Sequence, residues 1–215
     1  MSDEIGSSNV SWIEDSSWPE VEQAIEHGAI AILPIGAAAK EHGRHLPLNT
    51  DYLQARYLAD TVAKSVSALI WPVVSYGYYP VFIDYPGSVS IKAATFASIV
   101  QDILACIAYS GVKSTYILNT GISTIKPLER LLVDDSAEHT VRLLNVYSGP
   151  RFTSASAALV EQEHGGHADE IETSLMMAIN KQSVMMDRAK AQITPIHRGV
   201  FNRTDSEQAL SLIHI

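Results

Sequence analysis

The sequence predicts an α/β fold with a mainly parallel central sheet and helices on both faces. Three observations predict it. Short apolar runs alternate with longer segments whose apolar residues recur at helical intervals. Runs such as AIAILPIG are close to continuously apolar, as strands buried on both faces are. Polar, chemistry-bearing clusters follow the runs directly, at residues 41–51, 79–90 and 119–124, where an open parallel sheet binds ligands beyond its strand ends.

The elements follow in order. Residues 1–11 read as a loose, acidic arm. SWPEVEQAIEHG is a short helix, with Ser17 as N-cap, Pro19 early and Gly28 at its end. AIAILPIG (29–36) is the first strand. DYLQARYLADTVAKSV (51–66) spaces Tyr52, Leu53, Ala55, Leu58, Ala59, Val62 and Ala63 as a helix does. SALIWPVVSYGYY (67–79) is the second strand and leads into the aromatic loop YPVFIDYPGSVSI. Ala93 to Gly111 is a long amphipathic helix, and STYILNTG (114–121) the third strand. KPLERLLVDDSAEH is helical, TVRLLNVYS (140–148) is the fourth strand, and HADEIETSLMMAINKQ (167–182) is the last helix. One domain over residues 12–200 is expected. The polar stretch HRGVFNRTDSEQ and the abrupt ALSLIHI give residues 201–215 no functional weight.

Composition narrows the function classes. Hydrophobic residues are 47% and charged residues 18% of the 215, which is globular rather than disordered. A net charge of −9 without basic runs argues against nucleic acid and anionic membranes as partners. The polar N-terminus is unlike a signal peptide, so a cytoplasmic protein is expected. The single cysteine, Cys106, excludes an intrachain disulfide and lies in the apolar stretch FASIVQDILACIAYSG, where a buried structural thiol is expected.

The chemistry concentrates in EHGRHLPLNTD (41–51). Imidazole and carboxylate together suit a divalent ion of borderline softness, and Glu41, His42 and Asp51 offer both. Asp51 opens a helix, where the positive end of the macrodipole holds an anion; it also suits a plain N-cap. A second cluster, EQEHGGHADEIETS (161–174), brings His164, His167, Glu170 and Glu172. A histidine there can act as a general acid, or the acidic first turn can simply complement the dipole. A third, NTGIST (119–124), can bind substrate or cap a helix. No phosphate loop is present, and Ser123 has no nucleophile-elbow context.

These residues resemble the creatininase (creatinine amidohydrolase) family. LPIGAAAKEHGRHLPLNTD is similar to that family's strand followed by E-x-H-G-x-H-L-P-x-x-x-D. IDYPGSVSI is similar to its F-P-G-T-x-S-L segment, and HADEIETSLMMAI to its H-A-G-x-x-E-T-S helix. The resemblance spans about residues 20–185. It implies a three-layer αβα sandwich, a homo-oligomer, and a binuclear centre that hydrolyses C–N bonds of small cyclic or linear amides through a metal-activated water. It implies His42 and Asp51 as metal ligands, with Asp51 bridging, and His167 as the catalytic acid/base. Glu41 and Glu172 are implied as further ligand candidates, and His45, Tyr79 and Asn119 as substrate-facing residues. Zinc is the expected ion, with manganese and iron as alternatives.

Two departures bear on function. The family's first glutamate stands two residues before the motif histidine, and here that place is Lys40, with Glu41 adjacent to His42. The family's N-G-H-x-x-N after the third strand supplies another ligand histidine, and here Gly121 stands in its place. A mononuclear or asymmetric centre is therefore expected, with His164 or Glu163 as replacement candidates and creatinine disfavoured as substrate. The alternative is an inactive or binding homologue with a degraded metal site.

Overall fold

The computed structural model describes residues 12–132, 139–162 and 165–190. The chain runs α1 (Trp18–Glu26), β1 (Ile30–Ile35), α2 (Thr50–Ala63), β2 (Ala68–Ile70), α3 (Ala93–Tyr109), β3 (Ser114–Asn119), α4 (Ile125–Leu131), β4 (Thr140–Asn145), α5 (Pro150–Leu159) and α6 (Glu170–Asn180). The four strands form one sheet in the order β2-β1-β3-β4, and every pairing is parallel. Helices cover both faces, giving the expected three-layer αβα sandwich.

Strand alternation divides the core. Leu33, Ile35 and Ile117 face one side and pack on Phe96, Val100 and Leu104 of α3 and Leu128 of α4. Ile32, Ile70 and Leu118 face the other and pack on Ala59 of α2 and Trp12. Each large side chain moved out of water contributes about 1.5–3 kcal/mol, so these two interfaces hold the layers together. β1 lies between β2 and β3 and carries its carboxyl end to the centre of one sheet edge, with that of β3 beside it.

Several expectations change. The second strand stops at Ile70 rather than running to residue 79, with only an isolated bridge from Val74 to Ile35 beyond it. Pro34 has no N–H to offer toward this neighbour, and the register slips by one residue between Ile32↔Ile70 and Ile35↔Val74, so the ladder breaks there. The helix α5 was not anticipated, because its run of Ser and Ala carries few large apolar residues at helical spacing. Pro150 in its first turn, after Gly149, was the available signal. Cys106 is exposed rather than buried. On α3 the buried stripe is Phe96, Val100, Leu104 and Ile107, and Cys106 falls off it.

The arm at 1–11, the tail at 201–215, and the candidates Glu163 and His164 lie outside the described residues. So do residues 133–138 of the expected fourth helix, of which Ile125–Leu131 is helical. No helix among the described residues is long and apolar enough to cross a membrane.

Candidate metal centre

The carboxyl ends of β1 and β3 and the first turn of α2 are fastened together. The Thr120 hydroxyl lies 3.0 Å from the Ile35 carbonyl oxygen and 3.1 Å from that of Asp51. Gly36 makes this approach possible: a Cβ there would stand 2.3 Å from the Asp51 carbonyl oxygen. Asp51 is thereby fixed in the first turn of α2, fully buried, with its carboxylate near the positive end of the helix.

The loop from 37 to 49 folds back over that carboxylate. It is pinned by Lys40 N–H to the Leu48 carbonyl, Val89 N–H to the Ala39 carbonyl, and Glu41 N–H to Ser88 Oγ. His42 is fully buried, with Nδ1 2.9 Å from the Lys40 carbonyl and Nε2 2.8 Å from Asp51 Oδ1. A carbonyl only accepts, so Nδ1 carries the proton and Nε2 is the nitrogen turned inward. On the other oxygen of Asp51, Lys40 Nζ stands 2.7 Å away, an ion pair lying off the line of a directed hydrogen bond.

From the far side α6 delivers the remaining groups. Its N-cap is Asp169, whose Oδ1 accepts from the Ile171 and Glu172 N–H groups at 3.0 Å. His167 therefore precedes the helix by a turn of irregular backbone and is not itself the cap. Ala168 adopts φ 48°, a left-handed conformation that costs a non-glycine residue about 1–3 kcal/mol, and its N–H donates to the Glu172 carboxylate. That turn aims the His167 ring inward, 5.1 Å from the His42 ring and 4.6 Å from the Phe82 ring, centroid to centroid. His167 Nε2 lies 3.0 Å from Glu41 Oε2, and Nδ1 lies 3.8 Å from Glu172 Oε2.

Electrostatics follow from burial and pairing. Burial alone would raise the Asp51 carboxyl, but Lys40 and His42 hold it well below the usual carboxylate range. Burial would also raise Glu41; its hydrogen bond and charge interaction with His167 bring it below its ordinary value. Burial works against the His167 cation, and Glu41 and Glu172 overcome it and raise the imidazole. Burial lowers His45 to about 4, so that ring is neutral at pH 7.

Of the sequence candidates, His42, His167 and Glu172 present ligand atoms that all lie within 4.8 Å of one another. Asp51 adjoins this group through His42, and Glu41 through His167. The three residues expected to face substrate have different surroundings. His45 Nε2 lies 2.9 Å from Thr173 Oγ1, tying the loop to α6. The Asn119 amide is held by Gly121, Thr124 and Asn145. The Tyr79 hydroxyl is buried without a hydrogen-bond partner among the described residues, and burial and the Asp51 charge raise its pKa. Sequence reasoning gave Lys40 no site role. Its signal was the replacement of an expected glutamate by a basic residue. It also missed Gln54, which accepts from the Tyr147 hydroxyl and donates to the Glu172 carbonyl at 3.4 Å.

Comparison with known proteins adds the following. The family model for creatininase, described as creatinine amidohydrolase, matches residues 14–209. A creatinine amidohydrolase of Pseudomonas putida is 27% identical over 200 residues, covering 82% of this chain and 75% of the relative. A manganese form of creatininase superposes with a TM-score of 0.76 at 22% identity, covering 93% of this chain and 87% of its own. A substituted creatininase in a zinc–zinc form does so with 0.76 at 23% identity, covering 93% and 86%. At such identity the solved structures show a shared fold.

Proposed function

This chain belongs to the creatininase family, and from that premise we propose that it uses one divalent metal ion to hydrolyse a C–N bond in a small cyclic or linear amide. The family and its Pseudomonas relative make it a hydrolase of non-peptide C–N bonds. The observation that supports the fuller reading is the convergence of His42, His167 and Glu172.

Those residues fit one ion. Two imidazoles and a carboxylate form a donor set that zinc, manganese and iron all accept. Each histidine is held from behind. His42 Nδ1–H donates to the Lys40 carbonyl, which turns Nε2 inward to Asp51 Oδ1, and His167 Nε2–H donates to Glu41, which turns Nδ1 toward Glu172. Such outer partners fix the tautomer and orientation of a ligating imidazole. Glu172 is held in the first turn of α6, and Phe82 covers the His167 ring on one side. A bound ion would polarise an amide carbonyl and acidify a water there. Carrying a proton and binding an ion exclude each other at Nδ1 of His167. We assign that nitrogen to the ion, because Glu41 already fixes the proton at Nε2.

The test is metal content and turnover together. After reconstitution with zinc, manganese or iron, the protein should retain metal and release ammonia or amine from members of an amide panel, and His42→Ala should lose both. Retention of less than about a tenth of an equivalent would overturn the reading. A binding homologue without turnover is favoured by one observation, that both Asp51 oxygens are already paired within the protein. Metal retention with no release from any amide would select it.

A further inference from the structure

Asp51 is fully buried, and a buried carboxylate needs compensating positive charge on both oxygens or a hydrogen-bond network in its place. One oxygen, Oδ1, faces His42 Nε2 at 2.8 Å. The other, Oδ2, has the Lys40 ammonium at 2.7 Å, and the Lys40 side chain is itself only 7% exposed. No other cation contacts Oδ2 among the described residues.

The surroundings are built for that ammonium. It lies 5.2 Å from the centroid of the Phe82 ring and 5.6 Å from that of Tyr79, within the range of cation–π attraction. The Tyr79 ring also closes the space beside Gly121. A Cβ at 121 would stand 2.8 Å from Thr124 Oγ1, which would have to shift, and in van der Waals contact with Tyr79 Cε1 at 3.5 Å. Two changes therefore belong to one position. The place where the family resemblance puts a glutamate carries a cation instead, and the place where it puts a histidine is a glycine packed against Tyr79. A divalent ion at Oδ2 would find no imidazole from 121 and a positive charge already within contact distance.

We propose that the Lys40 ammonium is a built-in substitute for a second metal ion, neutralising Asp51 from the side that an ion would otherwise occupy. The chain then binds one divalent ion, at His42, His167 and Glu172, and that single site rests on the functional reading above. The zinc–zinc relative shows that the fold tolerates two ions. Here lysine makes the second position permanent and independent of metal supply.

The experiment is a manganese titration of the full chain, read by calorimetry and by bound metal after gel filtration, alongside the chelator-induced change in Tm. Wild type should saturate at one equivalent. Lys40→Arg should do the same. Lys40→Glu should take up a further, weaker equivalent, and manganese should raise its Tm more than it raises that of wild type. Two equivalents in wild type overturn the proposal, and need no variant. One equivalent in both wild type and a folded Lys40→Glu also overturns it. If wild type binds none while Lys40→Glu binds one, the substitution of lysine for an ion stands and the single-ion reading of His42, His167 and Glu172 falls. If neither binds any, both fall.

Discussion

Glu41 and His167 stand 126 positions apart in the chain and share a 3.0 Å hydrogen bond between Oε2 and Nε2. The bond joins the loop after β1 to the turn before α6 and fixes which nitrogen of His167 faces Glu172. Glu41 also accepts from the Gly43 N–H, so its carboxylate is held before any ion arrives. Glu41→Ala should weaken metal affinity about 10–100-fold, the usual loss when the group behind a ligating histidine is removed. Competition against a chromophoric chelator would measure it. Unchanged affinity would remove Glu41 from the site.

Much of the fold was legible because its strands are short, apolar and buried on both faces, and its helices carry apolar stripes. The two candidate site segments were legible for a different reason: His42, Asp51, His167 and Glu172 sit in local patterns of fixed spacing. What was not legible depends on direction. Lys40 is one residue from Glu41 in sequence, yet their side chains diverge, one to Asp51 and the other to His167. Adjacent residues in irregular backbone can point anywhere, and spacing alone does not say which one reaches a buried carboxylate. Asn119 makes the same point, since its amide bonds close to its own strand end. The second strand was overextended because the one-residue slip between Ile32↔Ile70 and Ile35↔Val74 shows only once the pairing is known.

Gly36 sets how close α2 comes to the strand end. A methyl group there would meet the Asp51 carbonyl oxygen at 2.3 Å and the Ala55 Cβ at 2.9 Å, both on a helix that cannot yield alone. Gly36→Ala should therefore destabilise the fold by at least about 1–3 kcal/mol, the usual range for overpacking a dense interior. A lowered urea midpoint with unchanged slope would show it. An unchanged midpoint would mean that α2 shifts freely and that Asp51 is not fixed by this contact.

The Tyr147 hydroxyl supports the site through two hydrogen bonds in series. It donates to Gln54 Oε1, and Gln54 Nε2 reaches the Glu172 carbonyl. Gln54 is fully buried, so Tyr147→Phe would leave its oxygen unpaired out of water, at about 1–3 kcal/mol. Chemical denaturation should report that loss, with metal affinity reduced less than in Glu41→Ala because no ligand loses its own partner. Full stability in Tyr147→Phe would mean that the buried amide finds another donor.

His45 gives a dependence on pH with a definite sign. Burial lowers its folded-state value to about 4, against an ordinary 6.5. Between those values the unfolded chain binds more protons than the folded one, so stability rises with pH across that window. The contribution is whole above pH 6.5 and is lost as pH falls toward 4. Comparison with His45→Gln isolates it, since glutamine can still bond to Thr173 Oγ1 and does not titrate. The opposite tendency of His167, whose value is raised, is common to both proteins and cancels in the difference. With metal removed by chelator, wild type should lose stability more steeply than His45→Gln from pH 6.5 downward. Parallel curves across that range would show that the folded protein accepts the charged imidazole at 45 without penalty.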